Sequence, residues 1–293
     1  MKFLQAALTG MLLGGLHALM AAGLSLSWGV LRIINLTHFG LVLLGAYLTF
    51  QFASSWHIDP IVTLVVTIPI LFTAGALLQW SFDRLAVTEL NSLLLSFGLL
   101  IMMVQAVSKI WTADFQQMTI DVNPYATGSL SVGRLVFPST TLIAFALSVL
   151  IIGAGHQALQ RTFIGRALRA FAMDRTVAAA FGIDHRRISI VLAGIAGGSA
   201  AVAGMLFALS TALTPFTAFE WFGIVFAVVI LGGIGQVVGT FAAGVAVGVV
   251  SAVVSAAWSP ATAPIVLFSA IVLALVLRPQ GLFTLRSVVG AGR

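Results

Sequence analysis

The feature that most constrains this chain is a succession of apolar runs, each about as long as a lipid bilayer is thick. A helix needs about 20 apolar residues, at a rise of about 1.5 Å per residue, to cross the hydrocarbon core. Runs of this kind, bounded by charged residues, proline or polar clusters, predict helices at approximately 6–31, 34–53, 60–80, 91–111, 139–159, 188–212, 219–234, 237–257 and 262–277. The sequence therefore predicts an all-α integral membrane protein, a polytopic bundle of about 8–9 transmembrane helices in a single domain over residues 1–293.

Composition excludes a soluble protein. Hydrophobic residues make up 60% of the chain and charged residues 8%, with a mean hydropathy of +1.13, whereas soluble domains carry about 25% charged residues. The net charge of +6 comes from basic residues that lie between the apolar runs. Their positions indicate how the chain is oriented in the membrane and do not indicate a nucleic-acid-binding face. Because the chain has no cysteine, disulfides, thiol catalysis and thiolate metal sites are excluded.

Motifs for catalysis and for nucleotide binding are absent from the sequence. The chain has no HExxH, GxSxG or GxxxxGKS/T motif and no paired histidine spacing. Seven of its eight acidic residues fall in predicted loops, and the exception is Glu220. We therefore expect no catalytic residue, no metal site and no cofactor bound by this chain.

The basic residues predict which ends of the helices face the cytoplasm. Lys and Arg are enriched in cytoplasmic loops, and the loop of about 160–187 holds six of the fourteen in this chain, Arg161, Arg166, Arg169, Arg175, Arg186 and Arg187. That loop is therefore predicted to be cytoplasmic. Counting from it places the loop of about 112–138 on the outer face, and Lys2 also falls outside, against the rule.

The cytoplasmic loop is predicted to contain one amphipathic helix between Gly165 and Gly182. Arg166 and Arg169 share one side at helical spacing, whereas Arg175 interrupts the pattern by falling on the apolar side. Gly182 suits a helix end that needs a positive φ. Such a helix can either transmit a push between two spans or lie on the membrane surface with its arginines among the headgroups.

Glycine spacing and one internal similarity predict a tightly packed bundle with repeated halves. Glycines four residues apart, which let helices approach closely, occur in the pairs Gly10 and Gly14, Gly194 and Gly198, and Gly244 and Gly248. Segment 37–45 resembles segment 220–228, and each follows a polar break. Many transporters are built from two halves of this kind.

Several segments resemble one known family in residue order. They are 165–174 with its continuation 182–184, 23–38 with 44–47, 231–235 with Gly239, and 277–283. These segments look like those of branched-chain amino-acid ABC transporter permeases of the LivH type, the inner-membrane components of binding-protein-dependent transport systems. The resemblance covers nearly the whole chain and implies a permease subunit that moves branched-chain amino acids, or a similar small polar solute, across the bacterial plasma membrane.

One departure from the family pattern concerns the solute. In these permeases the histidine at the position of His38 is usually followed by Gly and an acidic residue, whereas here Phe39, Gly40 and Leu41 follow. Related permeases carry urea, other amides or sugars. The resemblance therefore leaves these solutes open beside amino acids.

The resemblance also implies partners and roles. Two ATPase subunits, which would bind the ATP, are expected to dock on the cytoplasmic loop, with the matching residues Gly165, Arg166, Arg169, Asp174 and Gly182. A second permease, either related or identical, and a solute-binding protein at the outer face would complete the importer in the lipid bilayer. The alternative function is an ion-coupled secondary transporter, which needs acids within the membrane, and the spans offer hardly any beyond Glu220.

Polar residues within the predicted spans are the candidates for the solute pathway, because polar groups are costly in the bilayer centre. Asn35, Thr37 and His38 stand at the break near Arg32, and interrupted helices expose backbone groups that can hold a solute. The alternative for these residues is a capping or interhelical hydrogen bond. Ser96 and Glu220 complete the candidate set; Ser96 lies in a motif that the family resemblance covers, and Glu220 alternatively lies at a membrane face.

Overall fold

The computed structural model describes residues 2–85 and 87–277, and helices dominate it. The helices are α1 (Lys2–Leu26, continued by a π-helical turn at Ser27–Leu31), α2 (Thr37–Trp56), α3 (Leu64–Arg84), α4 (Glu89–Trp111), α5 (Ser139–Arg161), α6 (Phe163–Met173), α7 (Arg175–Ala180), α8 (His185–Ser210), α9 (Thr217–Gly232), α10 (Val237–Ala257) and α11 (Thr262–Leu277). Each of the predicted apolar runs corresponds to one helix, so the predicted fold class is confirmed.

Within the described ranges, seven helices are long and apolar enough to cross a membrane, namely α1, α2, α3, α4, α5, α8 and α10. Helices α9 and α11 are apolar but shorter. The most deeply buried spans are α8 and α1, which form the centre of the bundle. Segment 277–283, which resembles the permease family, lies outside the described residues except for Leu277. The three arginines near the C-terminus, Arg278, Arg286 and Arg293, also lie outside them.

The bundle has two distinct ends, which we name the coupling end and the hairpin end. The coupling end contains the close of α1, the start of α8, and helices α6 and α7. The hairpin end contains the start of α1, where the Gln5 side chain bonds to both backbone groups of Val136. The described arginines at or next to the coupling end are Arg32, Arg84, Arg161, Arg166, Arg169, Arg175, Arg186 and Arg187, against Lys2, Lys109 and Arg134 towards the hairpin end. This asymmetry predicts that the coupling end faces the cytoplasm.

The cytoplasmic loop does not form the single helix that the sequence predicts. It forms α6 and α7, which are separated at Asp174, where the backbone is extended with φ −148° and ψ 112°. The Asp174 carboxylate accepts hydrogen bonds from the N–H groups of Thr176 and Val177, at 2.8 and 3.0 Å, and so caps the second helix. Arg175 follows the break, which explains why it did not fit one continuous helical pattern.

The outer loop contains a β-hairpin that the sequence analysis did not predict. Strands β1 (Ser129–Val132) and β2 (Leu135–Pro138) pair in antiparallel register, with Val132 opposite Leu135. Gly133 takes a φ of +63° in the connecting turn, where glycine has no steric penalty. The strands are short and mostly exposed, so the helical bundle carries the stability of the protein.

Helices α1 and α10 approach so closely that only glycine fits between them. A Cβ atom on Gly10 would lie 2.5 Å from the carbonyl oxygen of Gly248, and one on Gly14 would lie 2.5 Å from that of Gly244. The two predicted glycine pairs therefore face each other, and the helices run antiparallel. In α8 the tight contact shifts by one residue from the prediction, because Gly197, and not Gly198, meets a backbone carbonyl of α3.

The helix contacts indicate an inverted repeat; the similarity of the two segments predicted repeated halves but not their opposite directions. Helices α1 to α4 recur as α8 to α11, each set beginning with a long buried helix, a break and a second helix. Helix α1 packs on α10 and, in the matching arrangement, α8 packs on α3. Because α1 ends at the coupling end and α8 begins there, the two halves have opposite directions, as in many transporters.

The aligned residues of the two halves also make matching contacts. Gly40 lies against Met103 of α4, and its counterpart Gly223 lies against Phe268 of α11. Phe39 and its counterpart Phe222 contact each other, with ring centroids 4.6 Å apart. The two halves therefore meet where α2 and α9 begin.

Candidate functional site

The chain is broken inside the bundle between α1 and α2. Arg32 ends the π-helical turn in the left-handed conformation, with φ 54°, and residues 33–36 are not helical. His38, at the start of α2, places its Nε2 3.0 Å from the carbonyl oxygen of Met20. Met20 precedes Leu31, the end of the π-helical turn, by eleven residues, or about 16 Å along a helix. Helix α2 therefore starts within the bundle and not at its surface. The chain reaches this depth because the helix is broken at Arg32.

Ser96 of α4 satisfies the backbone of this broken segment. Its hydroxyl accepts a hydrogen bond from the N–H of Leu36 at 3.0 Å and lies 3.2 Å from the carbonyl oxygen of Ile34, to which it can donate. Thr37 donates its hydroxyl to the Ser96 carbonyl, and the Asn35 side chain accepts the Thr37 N–H. A buried backbone without such partners would cost free energy. The break is thus a fixed structure and not a frayed end.

The structure brings together four of the five residues that we predicted to line a pathway. Asn35, Thr37, His38 and Ser96 surround the break, with Thr37, His38 and Ser96 buried and hydrogen-bonded. Glu220 does not join them, because it is exposed in the first turn of α9. Among the described residues no hydrogen bond or ion pair connects it to the other four.

Aromatic side chains that the sequence analysis missed cover the break. Phe39 contacts Phe222 in a tilted arrangement and stacks on Phe226, and Trp28 of the π-helical turn lies 5.9 Å from the Phe226 ring. The internal similarity at 37–45 and 220–228 was the one sequence signal for this cluster. These rings place an apolar barrier directly beside the polar groups of the broken segment.

We predict that Ser96→Ala destabilises the protein by about 1–3 kcal/mol, because it leaves buried backbone groups of the broken segment without a partner. Ser148→Ala is the matched control, since Ser148 is equally buried but donates only within its own helix, to Ala144. Thermal unfolding of the purified protein measures both. Equal stability of the two variants would contradict the assigned role of Ser96.

Helix α6 is attached to the long helices of both halves at the coupling end. Leu168 and Phe171 of α6 lie in one buried cluster with Val30 and Leu31 of the π-helical turn and Leu192 of α8. Position 165, in the first turn of α6, requires glycine, because a Cβ there would collide with the carbonyl oxygens of Ala158 and Leu159 in α5. The cluster therefore packs α6 against both the continuation of α1 and α8.

The five residues that we predicted for ATPase coupling all shape this segment. Gly165 allows the close approach of α6 to α5, and Asp174 caps α7. Arg166 and Arg169 donate to the carbonyl oxygens at the end of α5, at 3.1 and 3.2 Å. Gly182 has the expected positive φ, at +79°. Their contacts in this chain are thus internal ones.

Large apolar side chains are exposed on and next to α6 and α7, beside Arg166 and Arg169, which the sequence analysis did not predict. Phe163, Met173, Val177 and Phe181 are exposed, and Phe181 has 82% of its surface accessible. Large apolar side chains that lie exposed together outside the spans are typical of a protein interaction surface.

At the hairpin end, polar contacts tie the outer loops to the bundle. The Tyr125 hydroxyl donates to Asp59 at 2.8 Å, and the Asn123 amide donates to the Leu209 carbonyl. Burial raises the pKa of Tyr125 to about 12, with a further contribution from the bond to Asp59. The phenol is therefore a hydrogen-bond donor at any physiological pH.

Comparison with known proteins decides what this broken, inverted bundle is. Residues 6–277 match the family described as "Branched-chain amino acid transport system / permease component". The chain belongs to this permease family. The match spans all the described helices, including the break after α1 and the coupling end.

Individual relatives cover nearly the full length of the permease. The high-affinity branched-chain amino acid transport system permease proteins LivH of Salmonella typhimurium and of Escherichia coli K12 are each 26% identical to it over an alignment of 296 residues, which covers 96% of this chain and 95% of theirs. The corresponding protein BraD of Pseudomonas aeruginosa is 24% identical over 294 residues, with the same coverage. No solved structure gives a significant match.

These findings settle the class of the molecule. The permease is a multi-pass protein of the bacterial inner membrane and a component of a transport system. Among the described residues no group of three or more His, Asp or Glu side chains could hold a metal ion.

Proposed function

We propose that this permease is the membrane subunit of an ABC importer for branched-chain amino acids or a similar small polar solute, driven by separate ATPase subunits. The observation that carries the proposal is the match over residues 6–277 to a branched-chain amino acid transport permease family. The inverted repeat supports it, because two halves that pack around a central break can rock between two states. The permease itself contributes the conduit and the lever, and ATP binds to its partners.

The coupling end supports the docking of ATPase subunits. Its exposed apolar surface at Phe163, Met173, Val177 and Phe181 provides the contact area, and α6 is packed on α1 and α8 beneath it. We propose that Gly165, Arg166, Arg169, Asp174 and Gly182 act by holding α6 and α7 in the docking geometry. One ATPase subunit would dock on each of two permease copies, which are related or identical chains.

The solute pathway is proposed to pass the break between α1 and α2. Asn35, Thr37, His38 and Ser96 supply polar groups at bilayer depth, and the adjacent aromatic rings can close the path. Because α2 starts inside the bundle, a small movement of α1 at its π-helical turn would change this segment. A solute-binding protein would deliver the solute at the hairpin end.

Transport by the reconstituted complex tests the proposed function. The permease, its partner permease and the ATPase subunits are placed in proteoliposomes, and uptake of labelled leucine is measured with the solute-binding protein. We expect uptake that requires ATP and persists when an ionophore removes the ion gradients. Uptake that survives without ATP but collapses with the ionophore would show an ion-coupled secondary transporter instead.

We predict that Phe181→Asp prevents stable assembly with the ATPase subunits and leaves the permease folded. A charge at this position would be buried without a partner in the docked complex, which is strongly unfavourable. Phe115→Asp is the matched control, because Phe115 is also 82% exposed but lies between α4 and the hairpin. Co-purification of the ATPase measures the effect, and equal recovery with both variants would refute docking at this surface.

A further inference from the structure

The coupling end contains a polar cavity. Its volume is about 520 Å³, within the range of about 300–1,000 Å³ that is usual for small-molecule sites. It lies between the end of α3 and the starts of α4 and α8, and the segment after α1 closes it. Arg32 and Ile33 line the cavity, and Asn35 follows two residues later. The cavity therefore adjoins the break on its coupling-end side.

The lining of this cavity carries charges of both signs. Asp83 and Glu89 contribute carboxylates, and Arg32 and Arg186 contribute guanidinium groups. Within the part of the chain that the structure describes, no ion pair joins any of these four side chains to another. A ligand that has one cationic and one anionic group can interact with both kinds of charge at once.

The carboxylate of Asp83 is held in place by two neighbouring donors. The Gln79 amide donates to one of its oxygens at 2.8 Å, and the Ser189 hydroxyl donates to the other at 2.7 Å. Both donors are buried. Each carboxylate oxygen keeps capacity for one more hydrogen bond, so Asp83 is oriented in advance and can still accept a bond from an ammonium group.

Apolar side chains complete the cavity. Leu31, Ile33, Phe82 and Val87 line it beside the charged groups, and Leu31 and Phe82 are buried. An aliphatic group can be accommodated against this surface, because removing apolar area from water is favourable. The cavity thus combines the three recognition elements of an aliphatic amino acid: a site for the ammonium group, a site for the carboxylate and an apolar wall.

We propose that this cavity is a binding site for the transported solute on the cytoplasmic side, and that it takes the solute as an aliphatic zwitterion. Asp83 and Glu89 bind the ammonium group, and Arg32 and Arg186 bind the carboxylate. The proposal rests on the proposed function, because it assigns a second site on the path of the same solute. Since α8 begins at this cavity and also carries the contact with α6, a movement of the coupling end changes the cavity and releases the solute.

The absence of native cysteine allows a direct test. Val87→Cys introduces a thiol in the cavity lining, and Leu85→Cys introduces one close by on a residue that is outside the lining and exposed. The assembled importer is placed in nanodiscs, where both faces are accessible, and labelling by a polar maleimide is timed with and without leucine. At about ten times the half-protecting concentration, leucine slows labelling of Val87→Cys about tenfold by mass action. Labelling of Leu85→Cys stays unchanged.

Analogues and charge variants identify the chemistry. Neither 4-methylpentanoate, which lacks the ammonium group, nor 3-methylbutylamine, which lacks the carboxylate, protects Val87→Cys at the same concentration. In the Val87→Cys background, Asp83→Asn and Arg32→Gln each raise the half-protecting concentration at least about tenfold, as expected for loss of a bond to a charged group. Arg84→Gln, which removes a neighbouring charge outside the lining, leaves that concentration unchanged.

The outcomes separate this inference from the proposed function. If the complex transports leucine but leucine does not protect Val87→Cys, or if a singly charged analogue protects it equally, the zwitterion site is overturned and the proposed function stands. If the complex transports no amino acid, the proposed function fails, and this inference fails with it. Protection together with leucine transport supports both.

Discussion

Phe171→Ala is expected to reduce leucine uptake by the reconstituted importer at least about tenfold while the ATPase subunits stay bound. Phe171 is 1% exposed in the cluster that fixes α6 to α1 and α8. Truncating a buried Phe to Ala costs about 3–5 kcal/mol, and each 1.4 kcal/mol is about a tenfold change in an equilibrium. The residues proposed for docking are exposed whereas Phe171 is buried, so ATP hydrolysis would continue without driving transport.

Uptake and ATP hydrolysis measured on the same proteoliposomes check this uncoupling. Phe171→Leu is the control, because it retains an apolar side chain of similar size and is expected to cost less than about 1.5 kcal/mol. Wild-type uptake by Phe171→Ala would refute the mechanical link that the cluster provides. Loss of the bound ATPase would show that the substitution disturbs docking, which the structure does not predict.

Gly14→Ala is expected to destabilise the permease by about 3 kcal/mol, the upper part of the usual range for overpacking. The added Cβ would lie 2.5 Å from the carbonyl oxygen of Gly244 and 2.8 Å from the Cα of Val245. Backbone atoms of a neighbouring span cannot rotate away as a side chain can. Helices α1 and α10 would have to separate along their contact.

The matched control is a second Gly→Ala substitution, which is expected to leave the stability of the permease unchanged or to raise it. Gly153→Ala places a Cβ where no atom lies within 4 Å, and alanine is the better helix former by up to about 1 kcal/mol. Thermal unfolding in detergent should therefore show a lower Tm for Gly14→Ala and an equal or higher Tm for Gly153→Ala. A Gly14→Ala variant as stable as the wild type would contradict the close α1–α10 packing.

The sequence predicts the spans well because lipid imposes one simple requirement on each of them. A run such as 188–212 must be apolar over its whole length to cross the bilayer, and it corresponds to α8. The glycine pairs of α1 and α10 were equally readable, since small residues four apart indicate a helix contact. Which helix each pair contacts was not readable, because Gly14 and Gly244 are far apart in the chain.

The separation of α6 from α7 shows where helical periodicity is insufficient. The segment from Gly165 to Gly182 reads as one amphipathic helix, but Asp174 is a strong N-cap residue and begins a new helix instead. The misplaced Arg175 was the available signal. A side-chain cap competes with the backbone hydrogen bonds of a continuous helix, and a pattern of apolar residues does not reveal which one wins.

The candidate site was predicted in part because its polar residues are costly in a membrane. Asn35, Thr37 and His38 stood out for that reason, and the structure places them at one break. The bonds from Ser96 to Leu36 and Ile34 join residues about sixty positions apart, and no local pattern reports such a contact. The charged groups of the cavity escaped prediction for the same reason, since Asp83, Arg32 and Arg186 come to line one cavity only in the fold.

The orientation of the two ends is the central claim, because only a cytoplasmic coupling end can be driven by ATPase subunits. Val132→Cys on the hairpin and Phe181→Cys on α7 each place a single exposed thiol in a chain without other cysteines. The permease is expressed without ATPase subunits, and intact cells are treated with a membrane-impermeant maleimide. We expect labelling of Val132→Cys in intact cells and of Phe181→Cys only after permeabilisation. Labelling of Phe181→Cys from outside intact cells would contradict the account.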